Sequence, residues 1–144
     1  MPGVTEALDQ LDLPICVASS SSPAKLRLGL ETVGLYDRFS PNIVSATLVS
    51  QGKPEPDIFL FAAGWMKVSP MRCLVVVDSV PGVQAAIRAG IPGLGFTGGS
   101  HNGPNHSNLL TEAGAVSTFS HMSHLPGLIH KRRTTLASSS TATA

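Results

Sequence analysis

The chain has 144 residues, 42% of them hydrophobic, with Lys and Arg numbering 10 against 9 Asp and Glu. That is enough apolar material for one compact core, and the near-balanced charge excludes the broad positive field that draws nucleic acid or an anionic membrane. No apolar run is long enough to span a bilayer, so partners must be sought in a site rather than in bulk composition. The two cysteines, Cys16 and Cys73, each lie in an apolar run without C-x-x-C spacing. That pattern predicts buried reduced thiols, not a disulfide or a zinc site. No basic stretch leading into an apolar segment opens the chain, and a cytoplasmic location is the expectation.

In chain order, PICVA (14–18) reads as a strand and PAKLRLGLETVG (23–34) as a helix, with Leu26, Leu30 and Val33 at helical spacing and Gly34 at its end. A loop follows. PDIFLFAAGWMK (56–67) reads as a helix presenting Ile58, Phe61, Ala62 and Trp65 on one face, and CLVVV (73–77) as a strand that is apolar throughout. VPGVQAAIRAG (80–90) is a helix closed by Gly90, PGLGF (92–96) a strand, and SNLLTEAG (107–114) a further helix. Wholly apolar strands separated by helices predict an α/β class, a doubly wound parallel sheet covered on both faces. Residues 1–130 form the expected core, and KRRTTLASSSTATA (131–144), lacking apolar periodicity, the expected disordered tail.

In such a sheet, chemistry gathers at the carboxyl ends of the strands. SSSS (19–22) follows the first strand, Asp78 and Ser79 follow the second, and Lys53 lies between them in QGKPEPDIF (51–59). A hydroxyl, an ammonium and a carboxylate on one edge suit a phosphate and its Mg²⁺. Each has an ordinary alternative. The serines and Asp78 could equally cap the helices that follow them, and Lys53 could be a solvated loop lysine. In GFTGGSHNGPNHSNLL (95–110), His101 and His106 lack zinc spacing and the segment lacks any phosphate-loop signature, so it reads as a mobile loop. His121 and His124 read as solvated positions on the last helix.

ICVASSSS, GKPEPDIF and LVVVDSVPGVQAAIRAGI resemble the second, third and fourth motifs of the haloacid dehalogenase superfamily, in the branch of phosphoglycolate phosphatases, β-phosphoglucomutase and sugar-phosphate phosphatases. The resemblance covers roughly positions 2 to 130 and implies a Rossmann-like core. It implies that Ser19, with the backbone of Ser20, hydrogen-bonds the transferring phosphoryl group. Lys53 would pair with nucleophile and phosphate, and Asp78 would ligate Mg²⁺. The substrate implied is a small phosphorylated metabolite.

Two departures qualify this. The superfamily's first motif, an Asp-x-Asp pair ending the first strand, is not found: Asp9 and Asp12 precede a strand and have the wrong spacing. The opening MPGVTEALDQL resembles the helix just ahead of the second motif, so the first strand and the cap domain are expected to be missing. Val77 stands where many relatives carry Glu, Asp or Gly, and it cannot ligate a metal. Weak Mg²⁺ binding by Asp78 alone, and little or no turnover, are therefore expected. The alternative is a non-catalytic remnant or a module that binds phosphate or a partner. An unpaired edge beside 14–18 or 74–78 is expected to promote self-association.

Overall fold

The computed structural model describes residues 3–11, 13–98 and 105–135. Its first half holds α1 (Val4–Asp9), β1 (Val17–Ser19), α2 (Pro23–Thr32), α3 (Tyr36–Phe39), β2 (Ile43–Ser45) and α4 (Asp57–Trp65). Then come β3 (Val75–Val77), α5 (Val80–Arg88), β4 (Gly93–Phe96), α6 (His106–Ala113), β5 (Ser117–Phe119) and α7 (Leu125–Thr135). The alternation is the α/β pattern that the sequence predicts, and every strand pairing is parallel.

Local chemistry sets the element boundaries. Pro23 opens α2, where a missing N–H costs nothing, and the Ser22 hydroxyl accepts from the Lys25 N–H at 3.4 Å. At the far end of α5, Gly90 adopts φ 77, a left-handed conformation that closes the helix and turns the chain into β4.

The strands form two sheets, β1–β2 and β3–β4–β5. Val17 lies opposite Ile43, Val75 opposite Gly93, and Leu94 opposite Ser117. Among the described residues no ladder joins β1 to β3, yet one core runs beneath both sheets. Cys16, Ala18, Val44, Val75 and Val77 share it with Ile58, Phe59, Ala62 and Ala63 of α4, Val83, Ala85 and Ala86 of α5, and Leu110 of α6. A second cluster covers the opposite face of the larger sheet, where Leu74, Val76, Leu94, Phe96 and Phe119 meet Leu125 and Ile129 of α7. β3 is buried on both faces, so all three of its residues are valine. Cys16 and Cys73 are both buried, without a disulfide. Burial, and secondarily the neighbouring Cys73, push the Cys16 thiol up to about 11, which leaves it unreactive.

Several details differ from the sequence reading. The buried face of α4 is Ile58, Phe59, Ala62 and Ala63, while Phe61 and Trp65 are 38% and 51% exposed. The helix is apolar on nearly every side, so periodicity alone does not say which stripe faces the sheet. Trp65 instead donates its indole N–H to the Asn42 side chain at 3.1 Å, just ahead of β2. β2 and β5 are short strands that the sequence reading does not contain. α7 continues through Thr135, five residues into the stretch 131–144 expected as a tail. Residues 136–144, and His101, lie outside the described residues. His121 and His124 are exposed as expected, but they stand before α7, their rings 5.5 Å apart.

Candidate active site

Asp78 follows the last residue of β3, and its neighbour shows that it is not the cap of the next helix. Ser79, not Asp78, caps α5: the Ser79 hydroxyl accepts from the Gly82 N–H at 3.1 Å. Gly82 makes this close turn feasible, since a Cβ there would stand 2.9 Å from Val77 Cγ1 and 3.0 Å from Ser79 Oγ. With the helix start satisfied by serine, the half-buried Asp78 carboxylate is left for other chemistry. Its main-chain carbonyl is held too, accepting from His106 Nε2 at 2.5 Å. This contact fixes the ring proton on Nε2.

Lys53 is brought to the same place by the loop that precedes α4. Its ammonium lies 5.1 Å from the centroid of the Phe59 ring, a cation–π arrangement. Burial holds it below its ordinary pKa of 10.5, and the Asp78 carboxylate pulls it part of the way back up. The two charges thus sense each other, while no ion pair within 4.0 Å forms between them among the described residues. A half-buried ammonium without a contacting carboxylate attracts an anion.

Ser19 ends β1, and its hydroxyl accepts from the Ser21 N–H at 3.1 Å, leaving its own proton without an acceptor among the described residues. Ser45, ending β2, braces this turn by donating to the Ser21 carbonyl at 2.6 Å. Ser20 is exposed beside Ser19. Lys53 and Asp78 are therefore brought together, and Ser19 and Ser20 stand at the carboxyl end of the neighbouring sheet. Sequence reasoning singled out His106 but placed it in a mobile loop, without a contact to Asp78. His106 opens α6, and its signal was only its position one residue ahead of the helical stretch SNLLTEAG.

A magnesium ion asks for about six oxygens in near-octahedral array. Here Asp78 is one carboxylate, preceded by buried Val77, and no group of three or more His, Cys, Asp or Glu side chains gathers among the described residues. These residues do not by themselves make a magnesium site.

This is an α/β domain with charged and hydroxyl groups at the carboxyl ends of its parallel strands. Residues 1–90 match the family model of haloacid dehalogenase-like hydrolases, and the chain belongs to that family, in its phosphatase branch. It is 31% identical over 127 residues to the 6-phosphogluconate phosphatase of Escherichia coli, a match covering 88% of this chain and 54% of that protein. A haloacid dehalogenase-like protein from Agrobacterium tumefaciens superposes with a TM-score of 0.89 at 44% identity, covering 92% of this chain and 60% of the other. A family hydrolase from Deinococcus radiodurans, solved with bound phosphate and sodium, gives 0.85 at 30% identity, covering 91% and 59%. The chain therefore spans little more than half the length of these relatives.

Proposed function

We propose that these 144 residues are the phosphate-holding part of a phosphatase acting on a small phosphorylated metabolite such as a sugar phosphate. The observation that carries this is the half-buried Lys53 ammonium, within electrostatic reach of Asp78 but not ion-paired with it. In this reading Ser19 Oγ–H and the Ser20 N–H donate to phosphate oxygens, Lys53 neutralises their charge, and Asp78 offers a single oxygen to a weakly held Mg²⁺. His106 holds the Asp78 main chain, so the carboxylate keeps its place at the strand end.

The sequence contains no Asp-x-Asp pair, so nothing within it matches the in-line carboxylate that the superfamily uses to accept the phosphoryl group. A cradle without a nucleophile binds and orients but does not turn over at an enzyme's rate. That same lack supports the second reading, a non-catalytic phosphate-binding module.

The test is an assay of the purified chain with Mg²⁺ on p-nitrophenyl phosphate and hexose phosphates, run beside phosphorus NMR of inorganic phosphate. No turnover above background is expected, with phosphate retention weakened at least about tenfold by Lys53→Ala, in line with losing one charge-assisted contact. Vigorous Mg²⁺-dependent hydrolysis lost in Asp78→Asn would show that another carboxylate is the nucleophile.

A further inference from the structure

Side chains alternate along β2. Val44 enters the core shared with α4, while Ile43 and Ser45, one residue to either side, face the other way. There they line a cavity of about 460 Å³, together with Leu26 and Arg27 of α2, Tyr36 of α3 and Leu48 of the turn that follows β2. Its size falls within the range of about 300–1,000 Å³ typical of small-molecule sites. None of Ser19, Lys53 and Asp78 lines it, so it is separate from the candidate active site. Leu26, Ile43, Leu48 and the Tyr36 ring give it apolar walls, and Leu48, 54% exposed, leaves apolar surface open to water.

Arg27 is the one charged residue among those that line this cavity. Its guanidinium carbon lies 4.6 Å from the centroid of the Tyr36 ring, a stack that fixes the plane of the fork. Arg38 and Arg88 each donate to a carboxylate, at 2.5 Å and 2.9 Å. Arg27 does not. Its acidic partner, Glu31, stands 3.5 Å from Nε, and no hydrogen bond from its guanidinium is found among the described residues. An exposed pair of that length contributes little, so the fork is open to an oxyanion that meets it at hydrogen-bond distance. Glu31 also limits the charge of such a ligand: one carboxylate already stands beside the guanidinium, which admits a single negative charge more readily than the two of a phosphate monoester.

We propose that the cavity between β2, α2 and α3 binds a small monocarboxylate with a compact apolar body, the body against Leu26, Ile43 and Leu48 and the carboxylate on the guanidinium fork of Arg27. The bidentate contact supplies orientation, and removal of the apolar walls from water supplies most of the affinity. A rigid ring system suits the site better than a flexible chain, because it loses little conformational freedom on entering.

This inference stands apart from the phosphatase reading, since it uses none of the residues assigned to phosphate. The two sites also differ in kind. Lys53 offers a point charge at a strand end, whereas Arg27 offers a planar fork over an apolar cavity.

The experiment titrates the purified chain with 2-naphthoate, with 2-naphthamide, which keeps the rings and loses the charge, and with 2-naphthylphosphonate at mildly alkaline pH, where it carries two charges. Calorimetry gives stoichiometry and affinity, and amide chemical shifts by NMR give the location. One-to-one binding of the naphthoate with a Kd below about 1 mM is expected, with shifts concentrated at Leu26, Arg27, Tyr36, Ile43 and Leu48. The amide should bind at least about tenfold more weakly, and Arg27→Gln should abolish that difference while leaving amide binding unchanged. Equal binding of acid and amide to the parent chain would reduce the effect to apolar adhesion and overturn the proposal. So would undiminished naphthoate affinity in Arg27→Gln, shifts centred on Lys53 and Asp78, or no saturable binding. Tighter binding of the phosphonate at these same residues would overturn the choice of a single charge.

Discussion

Ser79 and Gly82 do the structural work that leaves Asp78 available. Replacing Ser79 by alanine removes the acceptor that satisfies the Gly82 N–H, and a loss of about 1 kcal/mol is expected from the urea midpoint. Gly82→Ala drives a methyl into Val77 and Ser79, and the overpacking should cost about 1–3 kcal/mol despite the gain in helix propensity. Lys53 makes the opposite kind of prediction. Its folded pKa lies below the ordinary 10.5, so at neutral pH the folded state carries a charge it disfavours. Between that lowered value and 10.5 the unfolded chain binds more protons, so this group's penalty fades as pH rises. Lys53→Met should therefore be more stable than the parent at pH 7, with the difference shrinking toward pH 10.5, read as urea midpoints of the two chains at each pH.

At the scale of elements, the sequence shows best what repeats over many residues. The helix 80–90 was legible from its apolar spacing and its final glycine, and β3 from a run of apolar residues that only a strand buried on both faces requires. Lys53 and Asp78 stand out in the sequence through the motifs they lie in, and the structure adds that Lys53 is half-buried and within electrostatic reach of Asp78. What stayed hidden is set by tertiary contact. β2 and β5 lack the apolar run that marks β3, and pairing rather than local preference makes them strands. His106 acts through one hydrogen bond to a main-chain oxygen 28 residues away, which no local pattern encodes. The face of α4 is fixed by the sheets it covers, since Ile58 and Phe59 fit under them and Phe61 does not.

Over the whole molecule, α4 is the element that ties the two sheets together. It packs on β1, β2 and α5, and α5 packs in turn on β3 and β4. Ile58, fully buried in the shared core, lies at this junction. Ile58→Ala should cost about 2–5 kcal/mol. Both sheets should still unfold together, shown by coincident urea transitions in far-ultraviolet circular dichroism and in amide exchange at β1 and β4. Separate transitions would mean that the two sheets are independent bodies, joined by chain but not by a common core.

The hydrogen bond from Trp65 to Asn42 carries an optical consequence. Trp65 is the one tryptophan in the sequence, so the chain's indole emission has a single source. At 51% exposure, with its N–H held by Asn42, the indole sits between the blue emission of a dry core and the red emission of water. Loosening β2 from α4 breaks that contact and hydrates the ring, shifting the band to the red. The chain thus carries its own unlabelled gauge of whether the outer strand of its smaller sheet is docked.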